Sequence, residues 1–120
     1  MESFRNQNDH QPYSDEHLYV DLRRELVTLD RQVLALTHKE YCLLLLLVQH
    51  SGETLSRETL EMKVWGHVLR ARARTLDIHI RRLRKKLGIY GKRRIEAVLG
   101  LGYRFRPASP PYYKAGTYSP

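Results

Sequence analysis

The residues best suited to chemistry lie in "RTLDIHIRRLRKKLG", residues 74 to 88, and the chemistry is the holding of negative charge. Leu76, Ile80, Leu83 and Leu87 recur at helical spacing and form one narrow apolar stripe. At about 100° per residue, Arg74, Ile78, Arg81, Arg82 and Lys85 fall on the opposite side. A helix that merely faces water gains from mixed signs at i,i+4. Here Asp77 is the sole acid, so the outer face suits a long anion.

The charge distribution agrees. Of a net +8, residues 70–94 contribute +10, from eleven Lys or Arg and one acid, and the rest of the 120 residues sums to −2. A basic block on a nearly neutral body is a docking surface for a polyanion. Such a helix could also lie on a membrane or an acidic partner, but its stripe is narrow and built for a core.

Other constellations are weaker. His38 and Cys42 stand at i,i+4, a spacing that could hold a metal, yet no second pair lies nearby and Cys42 sits in an apolar run. His50, His67 and His79 form no set, and His79 is better read as a phosphate donor. No phosphate loop, nucleophile elbow or paired-carboxylate pattern appears, so no enzyme and no cofactor are expected. Tyr112, Tyr113 and Tyr118 crowd one end rather than recurring along a strand, which favours duplex over single-stranded nucleic acid.

The lone Cys42 excludes an intramolecular disulfide and fits a reducing, cytoplasmic setting. No signal peptide is expected. The longest apolar run, Tyr41 to Val48, is too short for a membrane span and reads as a buried helix.

The elements that must position the basic helix follow from periodicity. Residues 1–16 read as a disordered or linker segment, 17–106 as one domain and 107–120 as a flexible tail. Strands are expected at 18–22, 25–29 and 32–36, with a turn at Asp30-Arg31. Thr37 and Glu40 make a capping box for a helix to about His50. Ser56 caps a second helix over 57–65, with Leu60 and Val64 inward and Gly66 as its stop. After the basic helix, "GIYGKR" reads as a turn. "RIEAVLGLGYRF" reads as a hairpin whose turn is freed by Gly100 and Gly102.

The fold expected is α+β: a winged helix-turn-helix with an N-terminal antiparallel sheet, three helices and a C-terminal β-hairpin wing. A helix fits the major groove of B-DNA, and a hairpin can reach the neighbouring backbone or minor groove. Within this reading Arg82 could fork onto a guanine and Asp77 could accept from a cytosine amine. Thr75, at a helix N-terminus, sits at a natural phosphate site.

"LTHKEYCLLLLLVQHSGETLSRETLEMKVWG", "RTLDIHIRRLRKKLG" and "GLGYRF" together resemble the DNA-binding effector domain of OmpR/PhoB-type bacterial response regulators, over roughly residues 18–106. The resemblance implies a four-stranded N-terminal sheet, of which three strands are legible; the fourth falls in residues 1–16 or is absent. It also implies base contacts from Asp77 and Arg82, with recognition helix 73–87 in the major groove and wing 94–105 on the backbone or minor groove. Backbone contacts are implied for Trp65, Arg74, Thr75, His79, Arg81, Arg84 and Tyr103. Read from the residues alone, Trp65 is a helix-end core anchor whose indole N–H could still turn outward.

Two departures stand out. Many members carry an Arg just before the first glycine of the wing motif, where this chain has Leu99, and Ala97 replaces a common hydroxyl residue. Arg93, Arg94 and Arg104 could substitute as backbone contacts, and Leu99 could act as an apolar wedge. Ile78 and Lys85 are further candidate contacts on the outer face.

The loop Gly66, His67, Val68, Leu69, Arg70, Ala71, Arg72 corresponds in position to the family's contact surface for RNA polymerase, although its arginines could extend the DNA footprint instead. Residues 1–16 are too few for the phosphoacceptor receiver domain of a full two-component regulator. A monomer is expected in solution, and tandem half-sites on DNA. The competing readings are a protein-interaction module and a non-specific architectural DNA binder.

Overall fold

The computed structural model describes residues 13–70 and 73–107. Four short strands open the chain: β1 (Tyr13–Ser14), β2 (Leu18–Asp21), β3 (Leu26–Leu29) and β4 (Gln32–Val33), antiparallel in that order. Alternation makes one face apolar, and Leu18, Val20 and Val27 from it are buried in the core. Asp30 and Arg31 both adopt positive φ between the paired Leu29 and Gln32, as a two-residue primed turn requires.

The expected boundary at residue 17 comes too late. β1 is the missing fourth strand, and it is held from a distance. The Asp15 carboxylate accepts from the hydroxyls of Tyr13 (2.8 Å) and Tyr90 (2.5 Å) and from the backbone N–H groups of His17 and Leu18. Tyr13 also packs edge-on against Phe105, 5.6 Å between ring centres. Residues 1–12 and the tail from 108 lie outside the described residues.

Helix α1 (His38–Gln49) starts at Thr37 with both bonds of the capping box formed. Its Leu43, Leu44 and Leu47 are fully buried. Strand β5 (Thr54–Ser56) leads into α2 (Arg57–Trp65), which Ser56 caps and Gly66 ends. Then come α3 (Thr75–Leu87), α4 (Ile89–Arg94) and the strands β6 (Ile95–Val98) and β7 (Gly102–Phe105). A second antiparallel sheet has the order β5-β7-β6.

Four expectations need correction. β4 covers only residues 32–33 of the expected 32–36. β5 is an extra strand, stabilised by pairing with the wing. The segment read as a turn, "GIYGKR", contains the fourth helix α4, whose Gly91 nests against the backbone of Arg84. Gly100 does supply the positive φ of the wing turn, but Gly102 does not. Gly102 lies in β7, where a Cβ would come within 2.0 Å of the Leu55 carbonyl, so glycine there permits close strand approach.

Candidate nucleic-acid interface

Helix α3 divides as its sequence requires. Leu76, Ile80, Leu83 and Leu87 are at most 1% exposed, locking one face into the core. Ile78, Arg81, Arg82 and Lys85 are exposed on the other, and Arg84 is half-buried at its margin. The helix begins two residues later than expected. Arg74 is its N-cap and makes no side-chain capping bond, so the first-turn N–H groups of Thr75, Leu76 and Asp77 have no capping side chain. With Arg74 exposed beside them, they suit a phosphate.

The cations divide into spent and unspent groups. Lys86 reaches back to α1, donating to the Glu40 carboxylate (2.7 Å) and the Ala35 carbonyl (3.0 Å). Glu40 is 2% exposed and also accepts from the Thr37 N–H. Burial pushes its carboxyl up, but the Lys86 ammonium and the Thr37 amide outweigh that and hold it below the usual range. Arg94 donates to the Arg106 carbonyl and covers the Tyr90 ring, and Arg104 pairs with Glu96 at 2.8 Å. These two are less available as backbone contacts than their charge suggests. Arg93 is exposed.

Asp77 is held in place rather than left open. Arg57, from the start of α2, donates to both of its oxygens, at 2.8 and 2.9 Å, and Tyr103 of the wing donates its hydroxyl proton to Oδ1 at 2.5 Å. The Arg57 bonds lead in holding the Asp77 carboxyl below its ordinary value. Burial, with the Asp77 bond added, pushes Tyr103 up to about 12. A carboxylate has about four acceptor positions. With three filled, Oδ2 keeps room for one donor such as a cytosine amine. Tyr103, expected on the backbone, is 7% exposed and its proton is committed to Asp77, so in this arrangement it has none to give a phosphate.

Trp65 and His79 meet edge-to-face, 5.1 Å apart, and Lys39 lies over the indole at 5.6 Å. The Nδ1 of His79 is 2.8 Å from the Thr75 carbonyl, which can only accept, so that nitrogen carries the proton. The neutral ring then offers an acceptor at Nε2, and only the imidazolium could donate to a phosphate.

The wing presents a bare apolar tip: Leu99 is 98% and Leu101 57% exposed. Its base is fixed beside α2, since the Arg57 N–H donates to the Leu101 carbonyl at 3.1 Å. In the loop after α2, Gly66 and His67 are exposed, Val68 is half exposed, and the Leu69 N–H donates to the buried Glu61. Arg70 is exposed, while Ala71 and Arg72 lie outside the described residues.

His38 and Cys42 are adjacent, 3.5 Å between Nε2 and Sγ. Among the described residues no group of three or more His, Cys, Asp or Glu could hold a metal, and no helix is long and apolar enough to cross a membrane. Sequence reasoning missed Arg57, whose only local signal is its place at the first turn of α2.

The geometry has counterparts. A family model described as "Transcriptional regulatory protein, C terminal" matches residues 30–105. The uncharacterised transcriptional regulatory protein YclJ of Bacillus subtilis is 44% identical over 82 residues, 68% of this chain and 36% of YclJ. The response regulator ArlR of Staphylococcus saprophyticus is 44% identical over 81 residues, 67% of this chain and 37% of ArlR. The chain thus spans just over a third of these relatives. The crystal structure of the Klebsiella pneumoniae RstA DNA-binding domain in complex with the RstA box superposes with a TM-score of 0.76 at 31% identity, covering 82% of this chain and all of that one.

Proposed function

This chain belongs to the family of transcriptional regulatory protein C-terminal domains, and from that premise we propose that it binds double-stranded DNA sequence-specifically to regulate transcription. The family is one of regulatory DNA-binding domains rather than of enzymes. The observation that carries the reading is the outer face of α3. Arg81, Arg82, Arg84 and Lys85 stand there without a carboxylate partner among the described residues, on a helix anchored by four buried side chains.

In this reading α3 enters the major groove and Arg82 reads a base, with Asp77 accepting from a neighbouring base through its remaining position. Arg74, Thr75, Arg81 and Arg84 hold phosphates, and Trp65 and His79 flank them. The wing lies along the backbone or minor groove with Leu99 foremost. The loop from Gly66 is a partner surface, with RNA polymerase as its candidate, and two copies bind tandem half-sites. The setting is the cytoplasm, where a bacterial regulator meets DNA, and the input is that of a two-component system, a reading supported by the relative named as a response regulator.

Selection from a random duplex pool, at low and at physiological salt, tests this. One enriched motif surviving the higher salt supports base readout, and its repeat spacing reports the copy number. If nothing is enriched and binding vanishes as salt rises, the domain is a non-specific phosphate binder. If no duplex binds at all, a protein-interaction module takes its place.

A further inference from the structure

A groove of about 520 Å³ runs between the C-terminal half of α3 and α4, lined by Arg81, Arg84, Lys85, Gly88, Ile89 and Lys92. Its four cations face no acid in the lining, and none has an ion pair among the described residues. The contrast with Lys86, Arg94 and Arg104, all spent on internal partners, is sharp. Like charges crowded together raise the local potential and are relieved by an anion. Ile89, 71% exposed, gives the groove an apolar patch that could meet a deoxyribose.

The fold builds this groove deliberately. Gly91 lets α4 pack directly on α3: a Cβ there would come within 2.6 Å of the Arg84 carbonyl and 2.8 Å of the Leu87 Cβ. That contact brings Lys92 alongside Arg84 and Lys85.

We propose that the α3–α4 groove is a seat for the phosphate backbone of duplex DNA, with Lys92 as a ligand that extends the footprint past the end of the recognition helix. The proposal rests on the duplex-binding reading above and adds a contact to it. Phosphate contacts position without carrying sequence information, so the seat strengthens binding uniformly.

The test uses the full chain, a selected duplex and a scrambled duplex, with Lys92→Ala, Lys92→Arg and Arg74→Ala compared by salt titration and phosphate-ethylation interference. Lys92→Ala is expected to lower the slope of log K against log salt by about 1 on both duplexes. It should also abolish interference at one phosphate, and Lys92→Arg should restore both. An unchanged slope for Lys92→Ala while Arg74→Ala, outside the groove, lowers it would overturn the seat and leave the duplex reading standing. A wild-type chain that binds neither duplex would remove both. Weakened binding of polyglutamate with the duplex slope unchanged would assign the groove to an acidic protein and overturn the proposal.

Discussion

Arg57 grips both carboxylate oxygens of Asp77, tying the first turn of α2 to the first turn of α3. The Tyr103 hydroxyl completes the joint from the wing. The only acid on the recognition helix thus serves as the pin that sets the angle between helix and wing. One acceptor position of the carboxylate stays open.

Asp77→Ala removes the pin and strands Arg57 and Tyr103. We predict a stability loss of about 1–2 kcal/mol in urea denaturation, kept small because the ion pair is part-exposed. The same change adds net positive charge to α3. Cognate binding should weaken while binding to scrambled duplex holds or tightens. A specificity ratio equal to wild type would dismiss the positioning role.

Lys85 and Lys86 are neighbours in sequence with different tasks. Lys86→Ala leaves the buried Glu40 carboxylate without its ammonium and should cost about 1–3 kcal/mol of stability with no change of salt slope. Lys85→Ala should do the reverse, flattening the slope by about 1 and sparing stability. Paired denaturation and salt titrations distinguish them, and identical behaviour of the two variants would refute the division.

Acid should loosen these joints. Asp77 and Glu40 have carboxyls held below their ordinary values, Asp77 chiefly by its Arg57 bonds and Glu40 by Lys86 and Thr37 against the opposing effect of burial. A depressed folded value means stability that is fully present above the unfolded value and lost as pH falls through the folded one. Denaturation midpoints should therefore hold steady from neutrality toward the ordinary Glu40 value of 4.5 and decline below it. Glu40→Gln should start less stable and decline less steeply, and an equal decline would show that Glu40 does not drive the acid loss.

Gly102→Ala forces a Cβ against the Leu55 carbonyl, which is backbone and cannot swing aside. We expect a loss of at least about 1–3 kcal/mol, with the wing displaced from β5. Thermal melting and wing amide chemical shifts check this. Wild-type values for both would mean that the strands can separate freely.

The two faces of α3 were legible because they rest on local periodicity, and both helix caps were legible because they span four residues. The unread elements depend on partners remote in sequence. β1 is two residues long and is secured by Tyr90, 75 residues from Asp15. β5 exists through its pairing with β7. In α4, Gly91 suggests a turn until Arg84 is seen packed against it. The candidate site divides similarly. Arg82 and Arg81 could be named from their helical position. Lys86 could not be separated from them, because its carboxylate lies 46 residues away, and Arg57 lies 20 residues from the Asp77 it holds.

If α3 reads bases through Arg82, then Arg82→Ala, measured on the selected duplex and on a scrambled one at the same salt, will separate base readout from phosphate contact. The expected result is a loss of about 1–3 kcal/mol on the selected duplex, a far smaller loss on the scrambled one, and relaxed preference at one base pair. An equal loss on both would contradict it and reduce Arg82 to one more phosphate contact.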